Sequence, residues 1–405
     1  MRRLYTLALR LALPFILLRL WWRGRHEPGY RDNVQERFGI YSTDRPPKAL
    51  WVHAVSVGEA RAAAPLVRAL KEALPDHTVL LTCTTATGRE TLRQVYGESV
   101  LTTYLPYDYP ESVQAFLEHF RPRLGVLMET ELWPNLLALC ASHGVPVALA
   151  NARMSEKSAR GYRRGRALMA PAIRSLAAAC AQSAADAGRL RALGAPRVEV
   201  TGNLKFDLAL DAAQLAAGRE WRRQVGRPVL LLASTREGEE KLLLENASAD
   251  ALIVVVPRHP QRFDEVGALA HSRRTRNPLP GSDDRVHLGD TMGEMAFYYA
   301  ACDVAVIGGS FLPLGGQNLI EALAAGAPVV VGPSMFNFAE ATRLALEAGA
   351  AIEAADAAAA MRQAAALLAN QEKREAMARV GKALCEAHRG ATQRHLEILI
   401  ALRRG

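Results

Sequence analysis

From Ala49 onward, short apolar runs alternate with stretches in which apolar residues recur at helical spacing. Apolar runs bounded by turn residues predict buried parallel strands, and the periodic stretches predict helices laid over them. The first set of predicted strands is Leu50–Ser56, Val79–Thr84, Leu124–Met128, Val145–Ala150, Ala177–Ala181 and Val198–Thr201, separated by helices such as Arg61–Leu74 and Leu132–His143. A second set follows Arg227-Pro228: Val229–Ala233, Leu252–Val256, Val304–Ile307 and Val329–Val331. Residues 208–227 carry no apolar strand run and read as a connector. Residues 271–285, rich in Arg, Pro, Asp and Ser, read as an exposed loop. From Ala355 the Ala-rich periodicity predicts helix and no further strand. The pattern predicts an α/β protein of two Rossmann-like domains facing a central cleft, with ligands at the carboxyl ends of both sheets.

The N-terminus obeys a different pattern. Leu4 to Trp22 is almost wholly apolar, but Arg10, Pro14 and Arg19 interrupt it, and its longest clean run, Leu11 to Leu18, contains the proline. Nine residues separate the two arginines, which places them half a turn apart on a helix. Their long stems can snorkel to a headgroup layer while Trp21 and Trp22 sit at the interface. The segment therefore reads as an interfacial or shallowly inserted anchor, with a true span or a buried helix as alternatives. No small-x-small cleavage site follows it. The implied domains are an anchor helix over 1–25, a first Rossmann-like domain over 26–210, a second over 211–385, and a terminal helix over 386–405 that packs back on the first domain.

Composition sharpens this. The 405 residues are 50% apolar and carry a formal net charge of +9. Residues 1–45 hold nine Arg against two Asp and two Glu, so +5 of that excess sits in the first ninth of the chain. An anionic membrane surface is the partner this predicts; no nucleic-acid-binding module is recognisable. The five scattered cysteines form no C-x-x-C, which argues against a disulfide scaffold or a thiolate zinc site.

The residues that carry chemistry sit just after strands. Glu59, in Val57-Gly58-Glu59-Ala60, lies in a helix's first turn, where it is either a general base or a complement to the helix dipole. Glu129 ends the strand Leu124–Met128; Thr130 or Glu131 is placed to cap the helix opened by Trp133-Pro134. Lys205, one of only seven lysines among 50 basic residues, is a point charge suited to a phosphate or carboxylate. In the second half, Arg258 and His259 are stiffened by Pro257 and Pro260, and Thr291 is a plausible cap after Gly289-Asp290. Gly308-Gly309-Ser310 and Gly315-Gly316-Gln317-Asn318 predict amides open to a phosphate, with Glu321 one turn on for ribose hydroxyls. There is no D-x-D, H-E-x-x-H, Walker loop or G-x-S-x-G.

The strings VSVGEA, METELWPN, NARMSEKSARGY, TGNLKFD, VPRHPQRF, GDTMGEM and GGQN, in this order, resemble those of bacterial 3-deoxy-D-manno-octulosonic acid (Kdo) transferases, over about residues 4–340. The resemblance implies a GT-B fold and inverting, metal-independent transfer of Kdo from CMP-Kdo to a lipid A precursor at the cytoplasmic face of the inner membrane. It implies no cofactor beyond that donor. It assigns Glu59 as proton acceptor and Glu129 and Lys205 as transition-state stabilisers. CMP contacts map to Pro257, Arg258, Met292, Gly293, Glu294, Asn318, Leu319, Ile320 and Glu321. The chain departs from the family's GGHNPLE string: Gln317 stands for the histidine and Leu319 for the proline. The alternatives are a related enzyme with another CMP- or UDP-sugar donor and a non-catalytic membrane-bound scaffold. Arg2, Arg3, Arg23, Arg25 and Arg31, and separately Arg153, Lys157 and Arg160, are basic enough to meet acceptor phosphates.

Overall fold

A computed structural model describes residues 1–42, 46, 48–247 and 251–404. The chain forms two compact units, Met1–Leu208 with Arg389–Gly405, and Ala209–His388.

The first unit is built on seven strands: β1 (Ala49–His53), β2 (Thr78–Cys83), β3 (Leu101–Tyr104), β4 (Pro122–Met128), β5 (Val147–Ala152), β6 (Ala178–Ala181) and β7 (Val198–Val200). They are all parallel, in the order β3-β2-β1-β4-β5-β6-β7. Every residue of β1 is buried because helices cover both faces of the sheet. Trp51 points into a cluster with Phe116, Phe120 and Leu127, whereas Leu50 and Val52 point to the other face, against Leu66 and Leu70. Leu396 and Leu399 of the C-terminal helix Ala391–Arg404 belong to that second cluster, so the chain's end closes the first unit's core.

The second unit repeats the plan with β8 (Val229–Thr235), β9 (Leu252–Pro257), β10 (Ser272–Arg273), β11 (Val286–Leu288), β12 (Val304–Ile307), β13 (Val329–Val331) and β14 (Ala351–Glu353). The order is β10-β11-β9-β8-β12-β13-β14. In each unit the strand order reverses beside the first strand, at β1/β4 and at β8/β12. That crevice is where open α/β sheets bind ligands.

Four strands were not predicted. β3 reads Leu-Thr-Thr-Tyr and is too polar to register as an apolar run; β10, β11 and β14 are only two or three residues long. β10 corrects the expected open loop over 271–285: Ser272 and Arg273 pair with His287 and Leu288 at the sheet edge. The expected connector contains a helix, Ala212–Val225, capped by Asp211 and ended by Gly226 in the left-handed region. Its Trp221 packs on Phe297 and donates to the Pro278 carbonyl at 2.7 Å.

The N-terminal segment is one helix, Arg2–His26, running through Pro14. Leu4, Leu7, Leu11, Phe15, Leu18 and Trp22 recur every three or four residues and are exposed. Arg2–Arg25 is long and apolar enough to cross a bilayer, and none of its apolar window is buried. Polar contacts dock the helix: the Tyr109 hydroxyl donates to the Leu9 carbonyl at 2.8 Å and Asn135 Nδ2 donates to Thr6 Oγ1 at 3.0 Å. Two of the basic residues expected to meet phosphates lie over aromatic rings, Arg23 on Tyr30 and Arg25 on Trp21.

Candidate functional site

In the first unit, Ser56 caps the short helix Val57–Ala62, and Glu59 occupies its third position. The Ser56 hydroxyl accepts the Glu59 amide at 3.4 Å and donates to Glu59 Oε1 at 3.2 Å; the Val55 amide donates to Oε2 at 2.9 Å. This is a capping box displaced by one residue, since the carboxylate returns to the amide before the cap. The first-turn reading of Glu59 matches these contacts. The contacts fix the side chain at the end of β1, and its surroundings alter its acidity. Burial, followed by repulsion from Glu129 and Glu131, pushes the Glu59 carboxyl up to about 8, against the pull of its two donors.

Glu129 follows β4, across the crevice from β1. Among the described residues it is one of five non-glycines in the left-handed region, with φ 56°. Its amide bonds to the Ala150 carbonyl at 2.9 Å and its own carbonyl accepts the Arg153 amide. A strained backbone at a strand end is a common mark of a functional position. Lys205 comes from beyond the edge strand β7, yet its Nζ reaches Glu129 Oε1 at 3.2 Å, with both side chains largely buried. Glu131 accepts from Trp133 Nε1 at 3.0 Å, and burial raises its carboxyl as well. The helix Pro134–Ser142 is capped neither by Thr130 nor by Glu131. Asp108, from the other end of the β3 connection, accepts the Asn135 and Leu136 amides at 3.0 and 2.7 Å.

A cavity of about 560 Å³ opens between the N-terminal helix and these strand ends. Leu9, Ile16 and Leu20 give it an apolar wall, Tyr107 and Trp133 an aromatic one, and Arg19, Arg23 and Arg37 its positive charge. Val55 and Glu131 also line it, which sets the cavity beside Glu59.

In the second unit, Pro257 closes β9, and the Arg258 amide donates to the Thr235 carbonyl at 2.9 Å. Arg258, Arg236 and Arg262 converge on His259; burial first and these cations next hold its imidazole below the usual range. Met292 is exposed, Gly293 has φ 79° and its carbonyl accepts from Gln214. Thr291 does not cap the next helix, Met295–Ala300, because its hydroxyl is used on Glu294 Oε2 at 2.6 Å. Arg274 also holds Glu294, at 2.9 Å, while lying 3.7 Å over the Phe297 ring. Asn318 Nδ2 donates to Glu321 Oε1 at 2.8 Å and Asn318 Oδ1 accepts the Ile320 amide. Leu319 and Ile320 are buried in the core, so their side chains cannot reach a donor and they offer main chain alone.

The paired glycines differ from expectation. The amides of Gly308, Gly309, Gly315, Gly316 and Gln317 are each used internally: by the Ala233 carbonyl, Glu239 Oε2, Ser334 Oγ, the Gly309 carbonyl and the Gly308 carbonyl. These glycines serve close packing. A Cβ on Gly308 would lie 2.6 Å from the Ser234 carbonyl oxygen, and one on Gly316 would lie 2.1 Å from Met335 Sδ. Glu239, which sequence reasoning missed, is fully buried and gathers the amides of Arg236, Gly309 and Phe311. It joins the two sides of the β8/β12 crevice. The signal was Gly238-Glu239-Glu240 after a strand, two acids too close to apolar sequence to be solvated.

Residues 32–208 match the family model described as 3-deoxy-D-manno-octulosonic-acid transferase (kdotransferase), and residues 281–384 match glycosyl transferases group 1. The chain is 48% identical to a 3-deoxy-D-manno-octulosonic acid transferase of Bordetella pertussis and 36% identical to that of Haemophilus influenzae, in each case over 98% of both chains. The UDP-GlcNAc 2-epimerase of Neisseria meningitidis shares the fold, with a TM-score of 0.59 at 17% identity over 87% of this chain and all of that one. Two parallel Rossmann-like sheets in the GT-B pattern and identity across the full length lead to one conclusion: the chain belongs to the 3-deoxy-D-manno-octulosonic acid transferases, a family of glycosyltransferases.

Proposed function

We propose that the protein transfers Kdo from CMP-Kdo to a hydroxyl of a lipid A precursor, with inversion and without a metal. The observation that carries this reading is the placement of Glu59, held at the end of β1 by the Val55 amide and the Ser56 hydroxyl beside the buried Glu129–Lys205 pair. A group with a pKa of about 8 binds a hydroxyl proton well as that oxygen becomes bonded to carbon. In the reaction the acceptor oxygen forms a bond to the anomeric carbon as the bond from that carbon to the CMP phosphate breaks. The proton passes to Glu59 and CMP leaves with the bonding pair. Lys205 meets the sugar carboxylate or the leaving phosphate, and Glu129 faces the positive charge that develops at the ring. Arg258 and the main chain around Met292, Gly293 and Glu294 take the CMP moiety, with Asn318 and Glu321 on its ribose. The cavity beside Glu59 suits a phosphorylated, acylated sugar, because it offers arginines and an apolar wall together.

Mass spectrometry of acceptor incubated with CMP-Kdo and detergent-solubilised protein tests this directly. The acceptor is expected to gain mass in Kdo steps; a folded protein that adds no such step overturns the reading. The rate also carries a pH signature. Only ionised Glu59 accepts a proton, so kcat/KM is expected to rise about tenfold per pH unit below about 8 and to level above it. A profile flat from pH 6 to 9 would exclude Glu59 as the base.

The N-terminal helix anchors the protein in the same leaflet as its acceptor, at the cytoplasmic face of the inner membrane. Leu11 and Phe15 are 69% and 74% exposed, so replacing both with Asp removes no packing. The double variant is expected to stop co-floating with anionic phospholipid vesicles while its melting temperature stays unchanged. Undiminished flotation would assign membrane binding to another surface.

A further inference from the structure

Lys205 poses a geometric question. The sheet order sets β5 and β6 between β4 and the edge strand β7, yet Lys205, five residues beyond β7, pairs with Glu129, the residue after β4. The chain must therefore turn back over the ends of β5 and β6, and something must hold it there. The turn is the short helix Leu204–Asp207, and its first amide, that of Leu204, donates to Asn151 Oδ1 at 3.0 Å.

Asn151 is built for that contact. It lies where the β5–β6 register shifts, has φ 50° and is fully buried. Its Nδ2 is buried with no partner among the described residues, an uncompensated polar group that the fold tolerates. Its carbonyl accepts Gln182 Nε2 at 2.8 Å, and Gln182 Oε1 accepts Asn203 Nδ2, with Asn203 Oδ1 taking the Lys205 amide. The Asn151 amide, lost to the ladder at the bulge, donates to Nε2 of His395 at 2.9 Å. His395 is fully buried in the C-terminal helix, and its Nδ1 lies 2.7 Å from the Ala391 carbonyl. A carbonyl can only accept, so Nδ1 carries the proton and Nε2 is free to receive the Asn151 amide. The same helix start grips the turn's other end, since Asp207 accepts the Gly390 amide at 2.8 Å, and Arg394 Nε bonds the Thr201 carbonyl at 2.8 Å.

We infer that His395 and Asn151 are positioning residues for the transfer reaction: the C-terminal helix, through the His395–Asn151–Leu204 chain of hydrogen bonds, holds Lys205 against Glu129. The inference rests on the role given to Lys205 above. Neither residue touches substrate. Their effect is felt as the placement of one ammonium group, and a displacement of about 1 Å at a reacting centre costs on the order of 100-fold in rate.

A double-mutant cycle on the full chain tests it. His395→Leu keeps the buried volume and removes the acceptor; it is expected to lower kcat by about 100-fold with KM for CMP-Kdo unchanged. His395→Gln, whose amide oxygen can accept, is expected to recover most of that loss. Lys205→Ala should be as slow alone as combined with His395→Leu, because once the ammonium group is gone its placement no longer matters. Should His395→Leu not fold, Asn151→Gly keeps the left-handed backbone, deletes Oδ1 and is expected to give the same cycle. Two losses that multiply in the double variant, or wild-type turnover in His395→Leu and Asn151→Gly, overturn the inference while leaving the role of Lys205 intact. Wild-type turnover in Lys205→Ala alone overturns that role and the inference with it.

Discussion

Glu59→Gln is expected to lower turnover by roughly 10²- to 10⁴-fold and to leave CMP-Kdo binding unchanged. The substitution is close to isosteric: its amide oxygen can still accept the Val55 amide, and its NH2 group can donate to the Ser56 hydroxyl in place of the bond that Ser56 now donates to the carboxylate. What is lost is the site for the acceptor's proton. Stability should move the opposite way. The folded-state pKa of Glu59, about 8, lies above its ordinary value of 4.5, so between those values the folded protein binds more protons than the unfolded chain. Its ionisation therefore costs stability as pH rises through that window. Wild type and Glu59→Gln should melt at similar temperatures at pH 5, and the variant should melt higher at pH 9. A variant that is slow and less stable at every pH would mean that Glu59 serves chiefly as a helix cap. The inverse pairing of rate and stability identifies a catalytic group held in a site that suits its reaction better than its fold.

The sequence makes some of this legible. Long apolar strands declare themselves, because a parallel sheet covered on both faces needs continuous apolar runs; Val79–Thr84 and Val304–Ile307 differ from the observed strands by at most a residue. Edge strands are harder to read, because half of their surroundings are solvent and three residues suffice, as in Ala351–Glu353; of the four edges only β7 is legible, as the run Val198–Thr201. Glu59 could be picked out because its site is local: a serine cap, a glycine and an acid after a strand. Lys205 and Glu129 are separated by 76 residues, and no periodicity reports that they meet. The glycine pairs misled for a related reason. Positive φ and close approach are requirements of phosphate loops and of tightly packed turns alike, and only the partners of the amides distinguish them. At Gly309 and Gly316 those partners are Glu239 and the Gly309 carbonyl.

The Glu129–Lys205 pair gives the second large effect. Lys205→Ala is expected to reduce turnover by about 10²- to 10³-fold, the usual consequence of removing one preorganised charge from a reacting centre. It also leaves the Glu129 carboxylate, 14% exposed, without its cation and beside Glu59 and Glu131. That uncompensated charge should destabilise the fold by about 3 kcal/mol at most, at the lower end of what breaking a buried pair costs. Lys205→Ala combined with Glu129→Gln removes the orphaned charge, so it should recover the melting temperature while remaining slow. Glu129→Gln alone separates the two carboxylates' roles. Glu129 repels the ionised form of Glu59, so its neutralisation should move the rising limb of kcat/KM below pH 8 while the plateau falls. A lowered plateau with the limb still at pH 8 would show that Glu129 does not set the acidity of Glu59. A shifted limb at full plateau would show that tuning the base is all it does, leaving the charge at the transition state to Lys205.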